Sequence, residues 1–305
     1  VDDAGNLGGY AEFGNAGLVW QNGVADGGHV FTGTPAVSPD DLRVKDLHID
    51  PVTGNGVAVG TTKSADSTIA PAVWTTTDGG NTWAAAQLPA VTGNTSTTYN
   101  GQIALAANVS KGGVITGADG TTAALWTPNG SGGYNITQLS GVSNQTVAAA
   151  ANDNVNSTVV GYDAATGQAV VWTDTGAGFG SPTFVPAPSG FTSAFTDINN
   201  GNVAVGWIND FSVGSIGTPP FNSLTDQFGG NAIVAGDAGG TNFGSASATD
   251  NGHAAVIWDD VAGLIDLNTI TGTLPTGLKL QTAVAINEDG SILVNADDAT
   301  GLNHA

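Results

Sequence analysis

The sequence predicts an all-β protein, a β-propeller of six or seven blades built from repeats of about 47 residues. Three observations predict it. Short apolar runs such as Gly56–Gly60, Ala70–Thr75, Thr122–Thr127, Gln168–Thr173 and Ser291–Asn295 lie between clusters of Gly, Asn, Asp and Thr, the pattern of strands and turns. The chain holds 46 Gly and 12 Pro against 10% charged residues, too few charges to coat helix surfaces. One phrase also recurs: an Asx/Gly turn, a small-residue strand, a polar turn, then an apolar strand closed by an aromatic.

The phrase opens the chain as Asp3 to Trp20 and returns as Asp153 to Trp172. Its turns fall near Gly5, Gly54, Gly112, Asn156, Gly201, Gly252 and Gly290. Trp20, Trp74, Trp126 and Trp172 close the apolar strand, and they are read as packing between blades. A four-stranded blade cannot cover both of its own faces, whereas blades set around an axis cover each other. Beyond residue 200 the phase blurs. Trp207 and Trp258 follow what reads as the first strand directly, and 211–247 reads as an insertion or a degenerate blade. Residues 1–305 are taken as one domain. The Ala-rich stretch Thr137 to Ala151 is read as non-helical, because Gly141 and its Thr/Ser/Asn background oppose a helix.

Composition excludes several functions. Net charge is −21 with only Arg43, Lys45, Lys63, Lys111 and Lys279 as bases, so phosphate-rich nucleic acid and anionic membrane surfaces are repelled. No apolar run approaches the ~20 residues of a membrane span. There is no Cys, hence no disulfide or thiolate chemistry. There is also no Met, and the chain starts at Val1, which predicts export after removal of a signal peptide and an extracellular or cell-surface location.

The recurring phrase resembles the HAF-type extracellular repeats of bacterial secreted proteins. The stretches that carry the likeness are 283–295 with 301–305, 104–117 with 122–126, 195–206, and 168–172, where Gln168 stands in place of the family's His. The resemblance implies a propeller-like fold and a surface-associated setting, and no activity. A second stretch, Thr76 to Trp83, is similar to the Asp-box of sialidase-type propellers. There the Asp78 carboxylate would cap backbone N–H groups, Gly80 would take a positive φ, and Thr82 and Trp83 would complete a structural turn.

No catalytic set emerges. One Arg cannot form the arginine triad that a sialidase likeness would imply. The four His show no G-x-S-x-G partner and no metal-ligand spacing. All but Glu12 and Glu288 of the 26 acidic residues are Asp, a turn former. The adjacent pairs Asp2-Asp3, Asp40-Asp41, Asp259-Asp260 and Asp297-Asp298 are read as turn tips, as weak Ca²⁺ ligands, or as hydrolytic carboxylates, and these alternatives stay open. Both ends carry the same first part of the repeat, so they read either as ring-closing segments or as an unfinished edge able to pair with another chain. The expectation is a structural or adhesive surface protein that self-associates or meets matrix glycans, with a glycan-binding or glycan-hydrolysing propeller as the alternative.

Overall fold

The computed structural model describes residues 7–11, 16–20, 29–30, 43–63, 69–91, 105–120, 122–141, 146–163, 165–189, 191–210, 253–270, 274–298 and 303–304. The chain is all-β, with six antiparallel meander sheets among these residues. It resolves into two compact units, Val1–Leu139 and Ser140–Ala305.

The first unit holds three sheets. Sheet one is β1 (Leu7–Ala11), β2 (Ala16–Trp20) and β3 (His29–Val30); sheet two is β4 (Arg43–Ile49), β5 (Gly56–Lys63), β6 (Ile69–Thr76) and β7 (Ala84–Gln87). Sheet three is β8 (Leu105–Val109), β9 (Ile115–Asp119), β10 (Thr122–Pro128) and β11 (Tyr134–Gln138). Sheets two and three bury Val59, Val73 and Leu88 against Ala106, Val109, Ile115, Ala124 and Trp126.

The second unit repeats the plan. Sheet four is β12 (Thr146–Ala151), β13 (Thr158–Asp163), β14 (Gln168–Thr173) and β15 (Thr183–Val185). Sheet five is β16 (Phe191–Ile198), β17 (Ala204–Asp210), β18 (His253–Asp259) and β19 (Gly263–Asp266), followed by a single-turn helix α1 (Leu267–Ile270). Sheet six is β20 (Lys279–Ile286), β21 (Ile292–Asp297) and β22 (Asn303–His304). Sheets four and five share Val160, Val171, Phe195, Ile198 and Ala204, and sheets five and six share Val205, Ala255, Leu280, Ala283 and Ile286. Both faces of a middle sheet are therefore covered, which explains why the strands read as continuous small apolar runs and not as strict alternation.

This topology corrects the phase beyond residue 200. Residues 204–210 are the second strand of sheet five and 253–259 the third, so the turn near Gly252 opens no new sheet. The segment 211–252, whose own structure lies outside the described residues, is an insertion between two paired strands. Trp258 pairs with Ala204 on the third strand, as Trp74 pairs with Ala58, Trp126 with Ile115 and Trp172 with Val159. Trp258 thus keeps the third-strand place of the series and Trp207 lies on the second strand; a long connection hid this register. The Ala-rich stretch around 146–151 is strand β12.

Two devices shape the first hairpins of sheets two to six, the first in all five and the second in two of them. In sheets two to six the first strand carries a β-bulge, at Val44/Asp46, Ala106/Asn108, Ala148/Ala150, Phe195/Asp197 and Ala283/Ala285, whereas β1 pairs with β2 without one. Opposite each bulge the second strand places Gly60, Gly117, Gly161 or Gly206; in sheet six Val294 stands there, and a second register shift at Leu280/Thr282 accompanies it. The bulge turns a carbonyl toward the neighbour, and only a residue without Cβ lets it approach so closely.

The second device ties sheets together. Asp46 Oδ2 accepts the Val109 N–H of sheet three at 3.0 Å, and Asp197 Oδ2 accepts the Ile286 N–H of sheet six at 2.8 Å. Each acceptor follows its own bulge, and each donor sits one position further along in the next sheet. Thr196 Oγ1 adds a 2.7 Å bond to Ala283 O. Asp197 also caps its own strand through Ile198 N at 2.9 Å. Asp197→Ala is therefore expected to strand two backbone donors and to cost about 1–3 kcal/mol, read as a lower urea midpoint at unchanged slope. Asp197→Asn, which keeps an acceptor, is expected to recover part of that loss.

Candidate functional site

The Asp-box stretch forms the turn between β6 and β7. Asp78 receives three bonds on its two oxygens: Thr76 Oγ1–H at 2.7 Å and Thr82 N–H at 2.9 Å on Oδ1, and Thr82 Oγ1–H at 2.6 Å on Oδ2. Thr76 Oγ1 in turn accepts Gly80 N–H at 3.0 Å. Gly79 and Gly80 both take left-handed backbone, φ 74° and 90°, a conformation open to glycine at no steric cost. The Trp83 indole N–H closes the turn on Gly80 O at 2.9 Å, and its ring rests on the core of sheet two. A further bond, Gly79 N–H to Gly54 O at 2.8 Å, joins this turn to the β4–β5 hairpin.

The Thr82 hydroxyl, the Thr82 N–H and the Thr76 hydroxyl hold the Asp78 carboxyl down from 3.8 to about 2. A carboxyl depressed on folding stabilises the protein above its unfolded value and loses that contribution as pH falls through its folded value. The gap in stability between wild type and Asp78→Asn is thus expected to be full above pH ~4 and to close between pH ~4 and ~2. Paired urea melts across that range check it. Asp46 moves the other way: burial raises its carboxyl, against the lowering effect of the Val109 N–H.

Of the four tryptophans assigned to packing, Trp74, Trp126 and Trp172 occupy third-strand positions and Trp20 ends β2, the second strand described in sheet one. Trp74, Trp126 and Trp172 are fully buried; the side chain of Trp20 lies outside the described residues. The Trp126 ring sits between sheets two and three, and its N–H donates to Pro89 O at 2.7 Å. Trp258 joins this series and packs on Phe195 with ring centroids 5.5 Å apart. Trp207 on β17 packs on Tyr162 at 6.4 Å. Trp74, Trp126 and Trp172 are core side chains and not a sugar-stacking row, and Trp258 is partly buried against the core shared by sheets four and five.

The candidate carboxylates are dispersed. Asp2, Asp3, Asp40 and Asp41 lie outside the described residues. Asp259 caps the β18–β19 turn, accepting Val261 N–H and Ala262 N–H on Oδ1, with Asp260 exposed beside it. Asp297 stands opposite Lys279 at the end of β21, and Asp298 follows. Among the described residues no three His, Asp or Glu side chains gather as a metal cluster.

The structure instead assembles a polar row that sequence reading missed. At the first-hairpin turns of the second unit, Asn152 Nδ2–H donates to Asn202 Oδ1 at 2.6 Å, and Asn154 Nδ2–H to Asn200 O at 3.0 Å. Asn200 Oδ1 accepts Asp153 N–H at 2.8 Å. The row continues to sheet six through Asn199 Nδ2–H to Asn287 O at 3.2 Å and Asn200 N–H to Glu288 Oε2 at 3.0 Å. The same Asn residues cap their own turns: Asn152, Asn199 and Asn287 accept the N–H of Thr158, Val203 and Ser291. Asn202 is the single non-glycine with positive φ among the described residues, at 59°. The signal was present in the sequence as an Asn directly after each first strand of the second unit, Asn152, Asn199 and Asn287. Asn favours turns and left-handed backbone, so the local role was legible and the cross-sheet role was not. A row of amides and carboxylates can exchange hydrogen bonds with hydroxyl-rich ligands. Its carboxylates are those of Glu288, which accepts the Asn200 N–H, and of Asp153.

No protein-family model matches the chain, and no curated protein matches it. Among solved structures the whole chain is similar to part of a Mycobacterium tuberculosis puromycin-hydrolyzing peptidase, with a TM-score of 0.48 and 12% sequence identity, and it spans 43% of that chain. A likeness of that degree carries no argument about this chain's chemistry. No helix of the described residues is long and apolar enough to cross a membrane.

Proposed function

We propose that the chain is a propeller scaffold of an exported, surface-associated protein, of the kind its HAF-type resemblance implies, with a structural or adhesive role. In this reading the six sheets are blades of a single domain, and the protein works by presenting a stiff, acidic surface. The observation that carries it is where the polar side chains go. Asp46, Asp197, Thr196 and the Asn row spend their hydrogen bonds tying one sheet to the next. Such bonds stiffen the stack and leave those groups poorly placed to act on a substrate. The net charge of −21 keeps the protein soluble and turns away anionic partners.

Negative-stain imaging and small-angle scattering test the scaffold reading. A disc with rotational pseudo-symmetry supports it, and two lobes joined by a linker overturn it. Running both with Ca²⁺ and with chelator tests whether ion binding contributes, and fractionating the source organism tests the surface location.

A second reading, an extracellular glycan-binding propeller, is favoured by the amide row Asn152–Asn154, Asn199–Asn202, Asn287–Glu288. A polysaccharide panel separates the two. Retention that Asn200→Ala abolishes supports glycan recognition, and no retention on any polysaccharide leaves the scaffold reading.

A further inference from the structure

We infer that Thr192 and Asn209 are a binding site for one internal water molecule, which joins β16 to β17 at the root of the 211–252 connection. The two residues stand directly opposite each other on these strands. Both are covered: Asn209 is 0% exposed and Thr192 8%. Yet Asn209 Oδ1, Asn209 Nδ2 and Thr192 Oγ1 have no hydrogen-bond partner in the protein. A buried amide or hydroxyl left in that condition is costly, so such groups are met by a bound guest where the protein does not meet them.

The pair is an exception on its own strand. Next to Thr192, Ser193 Oγ accepts the Ala169 N–H at 2.9 Å and donates to Val185 O at 3.3 Å. Further along, Thr196 Oγ1 donates to Ala283 O at 2.7 Å. These hydroxyls reach the backbone of a neighbouring sheet. Around Thr192 and Asn209 the described neighbours are apolar. Two residues along each strand, on the same face, stand Ala194 and Trp207. Tyr162 of sheet four packs on them, with its ring centroid 6.4 Å from that of Trp207. The Thr192 methyl is directed at Gly167, where an added Cβ would lie 2.4 Å from it.

Directly opposite residues on antiparallel strands hold their Cβ atoms about 4.5–5.5 Å apart. Two polar groups across such a span that do not bond each other are joined through a third. The guest must both donate and accept, since Asn209 offers two N–H and a carbonyl oxygen and Thr192 a hydroxyl. It must also be small, because both side chains are already sealed from solvent. Water meets both demands with about three bonds, the usual number for an internal water. A metal ion calls for more oxygens than the two neutral ones of this pair. Asn209 also stands opposite His253, the last rung of β17 and β18 before the chain departs into 211–252. The water therefore fixes the first strand to the second where that connection leaves the sheet.

A crystal structure of the full chain at a resolution that orders solvent is the direct test. A water within hydrogen-bond distance of Thr192 Oγ1 and of an Asn209 amide atom is expected. A direct bond between the two side chains, a larger guest, or no density between them overturns the inference. Urea melts give a second answer, in which the two outcomes differ in sign. Thr192→Val keeps the shape and the contact with Gly167 and removes the hydroxyl. With water bonded there, the change is expected to lower the folding equilibrium constant about fivefold. A hydroxyl that bonds nothing gives unchanged or higher stability on the same change, and that result refutes the site. In an Asn209→Leu background, where the water has lost its amide partners, Thr192→Val is expected to cost little, so the two losses do not add. Fully additive losses also refute it. Should Asn209→Leu fold too poorly to melt, Thr192→Val alone decides. None of these outcomes depends on whether the sheets form a closed disc.

Discussion

Gly206→Ala is expected to cripple folding, with a loss of more than about 3 kcal/mol and most of the protein recovered insoluble. A Cβ on Gly206 would lie 2.0 Å from Ala194 O and 2.9 Å from Phe195 Cα. Both are backbone atoms of the bulged first strand, so no rotamer change relieves the contact. Gly161 stands in the same relation to Val147 O, also 2.0 Å from an added Cβ, and Gly161→Ala is expected to behave alike. Sheet six shows what relief requires, since Val294 occupies this place beside an extra register shift. The change most easily tolerated would be such a slip in β16, which would also move Asp197 away from Ile286 N. Soluble yield and urea melts of the two variants check the expectation. Gly180→Ala serves as the control, because an added Cβ there meets nothing within 4 Å. A Gly206→Ala protein as stable as that control would refute the role given to the bulge.

Trp126→Ala is expected to cost about 3–5 kcal/mol, the range for removing a large aromatic from a close-packed interior. The ring is fully buried and touches residues of two sheets, and small neighbours such as Ala106 and Ala124 cannot expand to fill the space. Trp126→Phe separates packing from polarity. It keeps most of the apolar contact and loses the bond to Pro89 O, and is expected to cost about 1–2 kcal/mol, part of it the unpaired carbonyl. If both variants melt with wild type, the third-strand tryptophans do not hold neighbouring sheets together.

Strands and turns were legible from the residues alone, because Val, Ala and Trp runs between Asx/Gly clusters have few other ways to fold. The Asp78 turn was legible too, since the side-chain bonds that close it span four residues or fewer. What stayed hidden depends on distant pairing. The bond from Asp197 to Ile286 N crosses 89 residues, and nothing local to either position announces it. The bulges were hidden for a related reason. A strand buried on both faces lacks the alternation that would expose a one-residue slip. Gly161 and Gly206 sit inside apolar runs that give no local hint that a first-strand carbonyl, of Val147 or Ala194, intrudes there. The place of Trp258 was lost because residues 211–252 separate two strands that elsewhere are joined by a short hairpin.

That detour has an evolutionary reading. Strands β17 and β18 pair from Ala204–Trp258 to Asn209–His253 as if the intervening residues were absent. Closing a longer connection grows costlier only with the logarithm of its length, about 0.6 kcal/mol per doubling. The rim where second and third strands meet is thus a place where new sequence can be grafted without disturbing the framework. Novel recognition surfaces could arise there by insertion, while the interior stays fixed by its glycines and tryptophans.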